Sequence, residues 1–160
     1  MKQKTLALWL KIVIIGVALC GLIICFVMLP SVGRDFADSL NGEFDYAYWP
    51  WLIFLWLTAL PCFAALGIGL KIADNIGRDR SFSIENAKLI FTISVLAAAD
   101  SAFFFIGNII LLLLNMNHPG IVLFSWIVVF FGLAVAVGAA CLSHLVRKAA
   151  ALQDESDLTI

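Results

Sequence analysis

The stretch Leu96-Ala97-Ala98-Ala99-Asp100-Ser101-Ala102-Phe103-Phe104-Phe105 holds one carboxylate among residues suited to a hydrocarbon solvent. An ionisable group at the centre of a membrane helix costs roughly 2.5–3.5 kcal/mol on insertion scales, so its surroundings must offset that cost. Two kinds of chemistry fit such a residue. It can respond to protons or cations along an ion pathway, or it can act as a polar clasp between helices or between copies of the chain. With about 3.6 residues per turn, Ile93, Ala97, Asp100, Phe104, Gly107, Asn108, Leu111 and Asn115 share one side of a helix. The opposite side carries Val95, Ala102, Ile106, Ile109 and Leu113. No Lys, Arg or His falls near mid-span, so the expected partner of Asp100 is a neutral group: Asn108, Thr58 or a trapped water.

A complementary surface lies further along, where Ser125, Gly132, Ala136, Ala139 and Ser143 fall on one side of the following helix. Small residues at such spacing let two backbones approach closely in lipid. The expectation is that these two faces pack together through Gly132, Ala136 and Ala139, with Asp100 between them or at their edge.

Other chemistry is poorly provided for. An enzyme needs a nucleophile, a base or a metal set in mutual reach. The two histidines, His118 and His144, belong to opposite ends of the spans they adjoin. No phosphate-binding glycine loop or metalloprotease motif occurs, and no cofactor or metal is expected. Cys20, Cys25, Cys62 and Cys141 all lie in apolar segments without a CxxC spacing, and they read as small core residues. A transporter would be expected to show internal repeats or helices broken at mid-membrane, and the two halves of the chain do not repeat one another.

The elements that must position these residues are membrane helices. The 160 residues are 63% hydrophobic and 13% charged, with a mean hydropathy of +1.05. Soluble domains are about 45–50% apolar and about 25% charged. Four apolar segments, near residues 8–30, 51–73, 89–114 and 120–146, each exceed the roughly 20 residues a bilayer-spanning helix needs. The first run is longer than a signal-peptide core and lacks a small-residue cleavage pattern at Leu29-Pro30-Ser31-Val32-Gly33, so it is expected to remain as an anchor. Lys2, Lys4, Lys11, Lys71, Arg78, Arg80, Lys88, Arg147 and Lys148 then share one face, against Arg34 on the other. By the positive-inside bias both termini are cytoplasmic.

The outer loop carries Asp35, Asp38, Glu43 and Asp45 before Tyr46-Ala47-Tyr48-Trp49-Pro50-Trp51, whose aromatic rings suit the head-group zone or a small outward-facing surface. Asn115-Met116-Asn117-His118-Pro119-Gly120 reads as a tight outer turn. On the inner side Ser83 is a plausible N-cap, Glu85 favours the first helical turn, and Phe82 is placed to staple onto Ala87. Arg78, Arg80, Phe82, Ser83, Glu85 and Asn86 are therefore the candidate partner-binding residues of a structured cytoplasmic corner. The tail 147–160 continues the last helix and ends in Gln153-Asp154-Glu155-Ser156-Asp157-Leu158-Thr159-Ile160, an acidic peptide with an apolar end.

Three of these stretches carry a family resemblance. Asn-Ile-Gly-Arg-Asp-Arg-Ser-Phe-Ser-Ile-Glu-Asn-Ala-Lys at 75–88, Tyr-Trp-Pro-Trp at 48–51 and Asn-His-Pro-Gly at 117–120 resemble the YoaS-like bacterial membrane proteins, domain of unknown function 2975. The tail from Leu142 fits the same group. The resemblance implies a four-helix inner-membrane protein without an assigned activity. Genes of this family often lie beside one for a Cro-like helix-turn-helix regulator, which implies a small cytoplasmic DNA-binding partner. No site residue is defined for the family, so none is carried over.

The sequence thus predicts one all-α domain over 1–160, an integral membrane four-helix bundle, antiparallel and up-down, in the bacterial cytoplasmic membrane. Its surroundings are the lipid bilayer, and it is expected to form a homo-oligomer or to bind the small regulator, without touching nucleic acid itself. The expected role is regulatory or scaffolding, the alternative a small oligomeric transporter or channel using Asp100.

Overall fold

The structure, a computed structural model, describes residues 3–39 and 45–157. Lys2, Glu43 and Leu158-Thr159-Ile160 lie outside the described residues, as do the side chains of Asp38, Asp154, Ser156 and Asp157. The chain runs through α1 (Gln3–Ile23), a π-helical turn (Ile24–Met28), α2 (Leu29–Ser39), α3 (Asp45–Gly77), α4 (Ile84–Leu113) and α5 (Pro119–Asp157), with no strand among the described residues. Four stretches are long and apolar enough to cross a membrane: Gln3–Asp35, Asp45–Gly77, Ile84–Leu113 and Pro119–Gln153. The 30 residues of Ile84–Leu113 reach about 45 Å at 1.5 Å each, so their ends project beyond a ~30 Å hydrocarbon core.

The π-helical turn follows from Pro30. Its nitrogen cannot donate to the carbonyl four residues back, and its ring crowds that turn. The backbone widens just before it, so that the Leu29 N–H donates to Ile24 rather than to Cys25. The carbonyl of Cys25 then accepts the indole N–H of Trp56 at 2.9 Å, which fixes α3 against the turn.

Helices adjacent in the chain are adjacent in space. α1 packs on α3, α3 on α4 and α4 on α5, while α5 makes no close approach to α1 or α3 among the described residues. The four spans therefore form an open row. The physical reason is the solvent: acyl chains are as apolar as a Leu side chain, so lipid-facing surface gains little by closing a ring. Phe124, Phe130 and Phe131 on α5 accordingly stay exposed.

The seam between α4 and α5 is small and polar. Ala87, Ser94, Ser101 and Asn108 recur every seventh residue of α4 and are all buried. Facing them, Ser125 and Gly132 lie one heptad apart, and Gly132, Ala136, Ala139, Ser143 and Val146 alternate at the four- and three-residue steps of a heptad seam. Ser143 Oγ donates to the Ala87 carbonyl at 2.6 Å, and Ser94 Oγ donates to the Ala136 carbonyl at 2.7 Å. A Cβ on Gly132 would collide with Ser101 Oγ, so the seam at this point has room for a glycine alone.

Candidate functional site

Two polar constructions stand out. The first surrounds Asp100, and the structure corrects its expected setting. Ser101, one residue on, occupies the α5-facing seam, while Asp100 turns toward α3, where the thiol of Cys62 lies 3.8 Å from Oδ2. The other carboxyl oxygen, Oδ1, is buried and has no hydrogen-bond partner among the described residues. Neither expected neighbour reaches it. Thr58 donates its hydroxyl to Leu55 of its own helix at 2.9 Å, and Asn108 donates to the Phe104 carbonyl at 2.9 Å. Both hydroxyl and amide have satisfied themselves within one helical turn, which is the cheapest route in a medium without water. The ion pairs among the described residues join Lys11 to Asp74 and Lys71 to Glu85, and Asp100 belongs to neither. Its weak thiol contact leaves acceptor capacity for a further donor.

The second construction is the corner between α3 and α4. Ser83 adopts extended backbone angles and its hydroxyl accepts the Asn86 N–H, so it caps α4. Asn86 is 1% exposed and serves as the keystone. Its amide donates to the carbonyls of Arg80 at 2.9 Å and Ser81 at 3.1 Å, while its Oδ1 accepts from Asn75 Nδ2 at 2.8 Å. The Arg80 N–H in turn donates to the Asn75 carbonyl at 2.9 Å, and Asp79 takes the left-handed conformation (φ 60°) that reverses the chain. Asn86 is thus removed from the surface a partner could touch, contrary to its place among the candidate contacts. Phe82, the residue expected to staple onto Ala87, is 59% exposed. Ala87 is buried instead against the seam with α5. Arg78, Arg80 and Phe82 remain exposed on this fixed backbone, and Glu85 is paired with Lys71 at 3.6 Å.

The opposite end of α4 is locked by a matching device. Asn108 is fully buried, and its Oδ1 accepts from Asn117 at 3.2 Å in the turn that begins α5. His118 Nδ1 accepts the Gly120 N–H at 3.1 Å, which caps α5 ahead of Pro119. The aromatic mouth of α3 ties into the same turn: Tyr46 donates its hydroxyl to the Asn115 carbonyl and Trp51 its indole N–H to the Met116 carbonyl, both at 2.7 Å. These rings fasten the start of α3 to the turn between α4 and α5.

Sequence reasoning missed Cys62, Asn75, Ser94, Ser101 and Asn117. A search for the seven-residue repeat of small and polar residues on α4 would have found Ser94 and Ser101. Among the described residues no group of three or more His, Cys, Asp and Glu could hold a metal ion, and the four cysteines are unpaired.

A family model described as a protein of unknown function, DUF2975, matches residues 32–160. The chain belongs to this family. The uncharacterized membrane protein YoaS of Bacillus subtilis (strain 168) is 27% identical over 161 residues, covering 99% of this chain and 99% of that protein. No solved structure matches. Within the DUF2975 chain the matched region takes in Asp100 and both asparagine locks, whereas α1 and the π-helical turn precede it.

Proposed function

We propose that this protein is a regulatory or scaffolding component of the bacterial cytoplasmic membrane, with antiparallel spans and both termini in the cytoplasm. Its inner corner holds a small soluble partner. The observation that carries the reading is the Asn75–Asn86 lock, which fixes the corner's backbone while Arg80 and Phe82 stay exposed. A rigid backbone that presents a cation beside an aromatic ring is suited to partner recognition, because little conformational entropy is lost on docking. The cations at this end of the molecule support the orientation. The family resemblance supports a helix-turn-helix regulator as the class of partner. No enzymatic step and no direct contact with nucleic acid is part of the reading.

Crosslinking and affinity purification from native membranes in mild detergent test it. The intact protein is expected to retain a small DNA-binding protein, and Arg80→Ala with Phe82→Ala to lose it at unchanged abundance. Equal recovery from both would sink the reading.

A second reading, transport by an oligomer, draws support from the unpartnered Oδ1 of Asp100. In reconstituted vesicles a proton or cation flux that Asp100→Asn abolishes, with expression and folding intact, is its expected signature. A flux indifferent to that substitution, or no flux at all, excludes it.

A further inference from the structure

A cleft of ≈ 300 Å³ opens between the start of α1 and the end of α3. Lys4, Ala7, Lys11, Asp74, Gly77 and Arg78 line it, together with Leu8. Its floor is a contact between small residues: Ala7 is buried, and a Cβ on Gly77 would stand 3.3 Å from that of Ala7. Because the backbones meet there, the long cationic side chains stand on the rim. Three cations, Lys4, Lys11 and Arg78, share the cleft with a single carboxylate. Asp74 is taken by Lys11, whose ion pair holds two walls of the cleft together. The excess positive charge resides on Lys4 and Arg78, neither of which forms an ion pair among the described residues.

The cleft continues into an apolar track. Leu8, a lining residue, begins a series with Ile12, Ile15 and Leu19, all exposed, on one face of α1. A phosphate in the cleft with hydrocarbon along this face satisfies both chemistries, whereas a free phosphate would use only the first. The cleft also sits where the apolar run of the first span gives way to charge, which is the level of lipid head groups.

We infer that this cleft is a binding site for the phosphate head of an anionic phospholipid, with Lys4 and Arg78 as its cationic contacts. It does not depend on the partner reading, which rests on Arg80 and Phe82. The test is native mass spectrometry of the full chain in detergent, titrated with phosphatidylglycerol, with phosphatidylcholine or with inorganic phosphate. Phosphatidylglycerol is expected to bind at least tenfold tighter than phosphatidylcholine. Lys4→Gln with Arg78→Gln is expected to weaken it about thirtyfold, which is ~2 kcal/mol at 1.4 kcal/mol per decade. Lys148→Gln, on α5 and away from the cleft, is expected to leave it unchanged. Should the double variant fold poorly, Lys4→Glu alone keeps the test, with a loss of tenfold or more expected. Equal loss in Lys148→Gln would assign the effect to diffuse surface charge and overturn the site. Inorganic phosphate competing as well as the lipid would overturn its assignment to a lipid.

Discussion

Asn86→Ala is expected to destabilise the protein by about 3 kcal/mol, read as a shift in its denaturation by a strong detergent or by heat. The substitution removes one side chain and strands three groups: the Asn75 amide and the carbonyls of Arg80 and Ser81. Each buried polar group left unpaired costs roughly 1–3 kcal/mol, and the carbonyls near the surface recover part of this from water. Asn86→Asp keeps the acceptor for Asn75 but loses both donated bonds, so an intermediate loss is expected. Since the two asparagines meet directly, Asn75→Ala with Asn86→Ala should cost less than the sum of the single changes. If Asn86→Ala shifts stability by less than about 0.5 kcal/mol, an ordinary surface effect, the corner is not held in this way.

Gly107→Ala is expected to destabilise by about 2 kcal/mol, even though alanine is the better helix former by about 1 kcal/mol. The added Cβ would fall 2.7 Å from Phe54 Cζ, and Phe54 has little freedom to retreat. Its ring is buried, stacks on Phe104 with centroids 5.5 Å apart, and meets Phe103 and Trp51 at its other sides. The methyl group therefore pushes α3 away from α4. The decisive comparison is with Phe54→Ala, which removes the obstacle. In that background Gly107→Ala should become neutral or favourable, and a penalty that persists there would disprove the steric account.

The four spans were legible because hydrophobic length is a coarse signal that no tertiary detail overrides. The Ser83 cap was legible too, since a hydroxyl before an apolar run has one cheap use. Rotation about the helix axis was harder to read. Centring the α4 face on Asp100 treats polarity as the guide to burial, yet the seam is built from Ser94 and Ser101. Ser94 Oγ bonds a carbonyl across the interface, whereas Ser101 Oγ bonds Ala97 within its own helix. A serine satisfied by backbone leaves no mark in hydropathy. Asn86 was misread for a related reason: composition gives a charged loop a solvated look, and only the fold reveals that one amide closes it from within. The openness of the row lay beyond sequence patterns altogether, because in lipid an outward-facing phenylalanine and a buried one have similar standing.

That row has a consequence for how the protein is made. No helix waits for a distant segment before it finds its neighbour, as α3 docks on α1, α4 on α3 and α5 on α4. Each span leaving the ribosome meets a partner already in the bilayer, so assembly can follow synthesis step by step with short loops to close. The last hairpin carries its own fastening, with two serine hydroxyls bonded across α4 and α5 and the Asn108–Asn117 pair at its turn. α5 thereby meets α4, the span made just before it, with its contacts already specified.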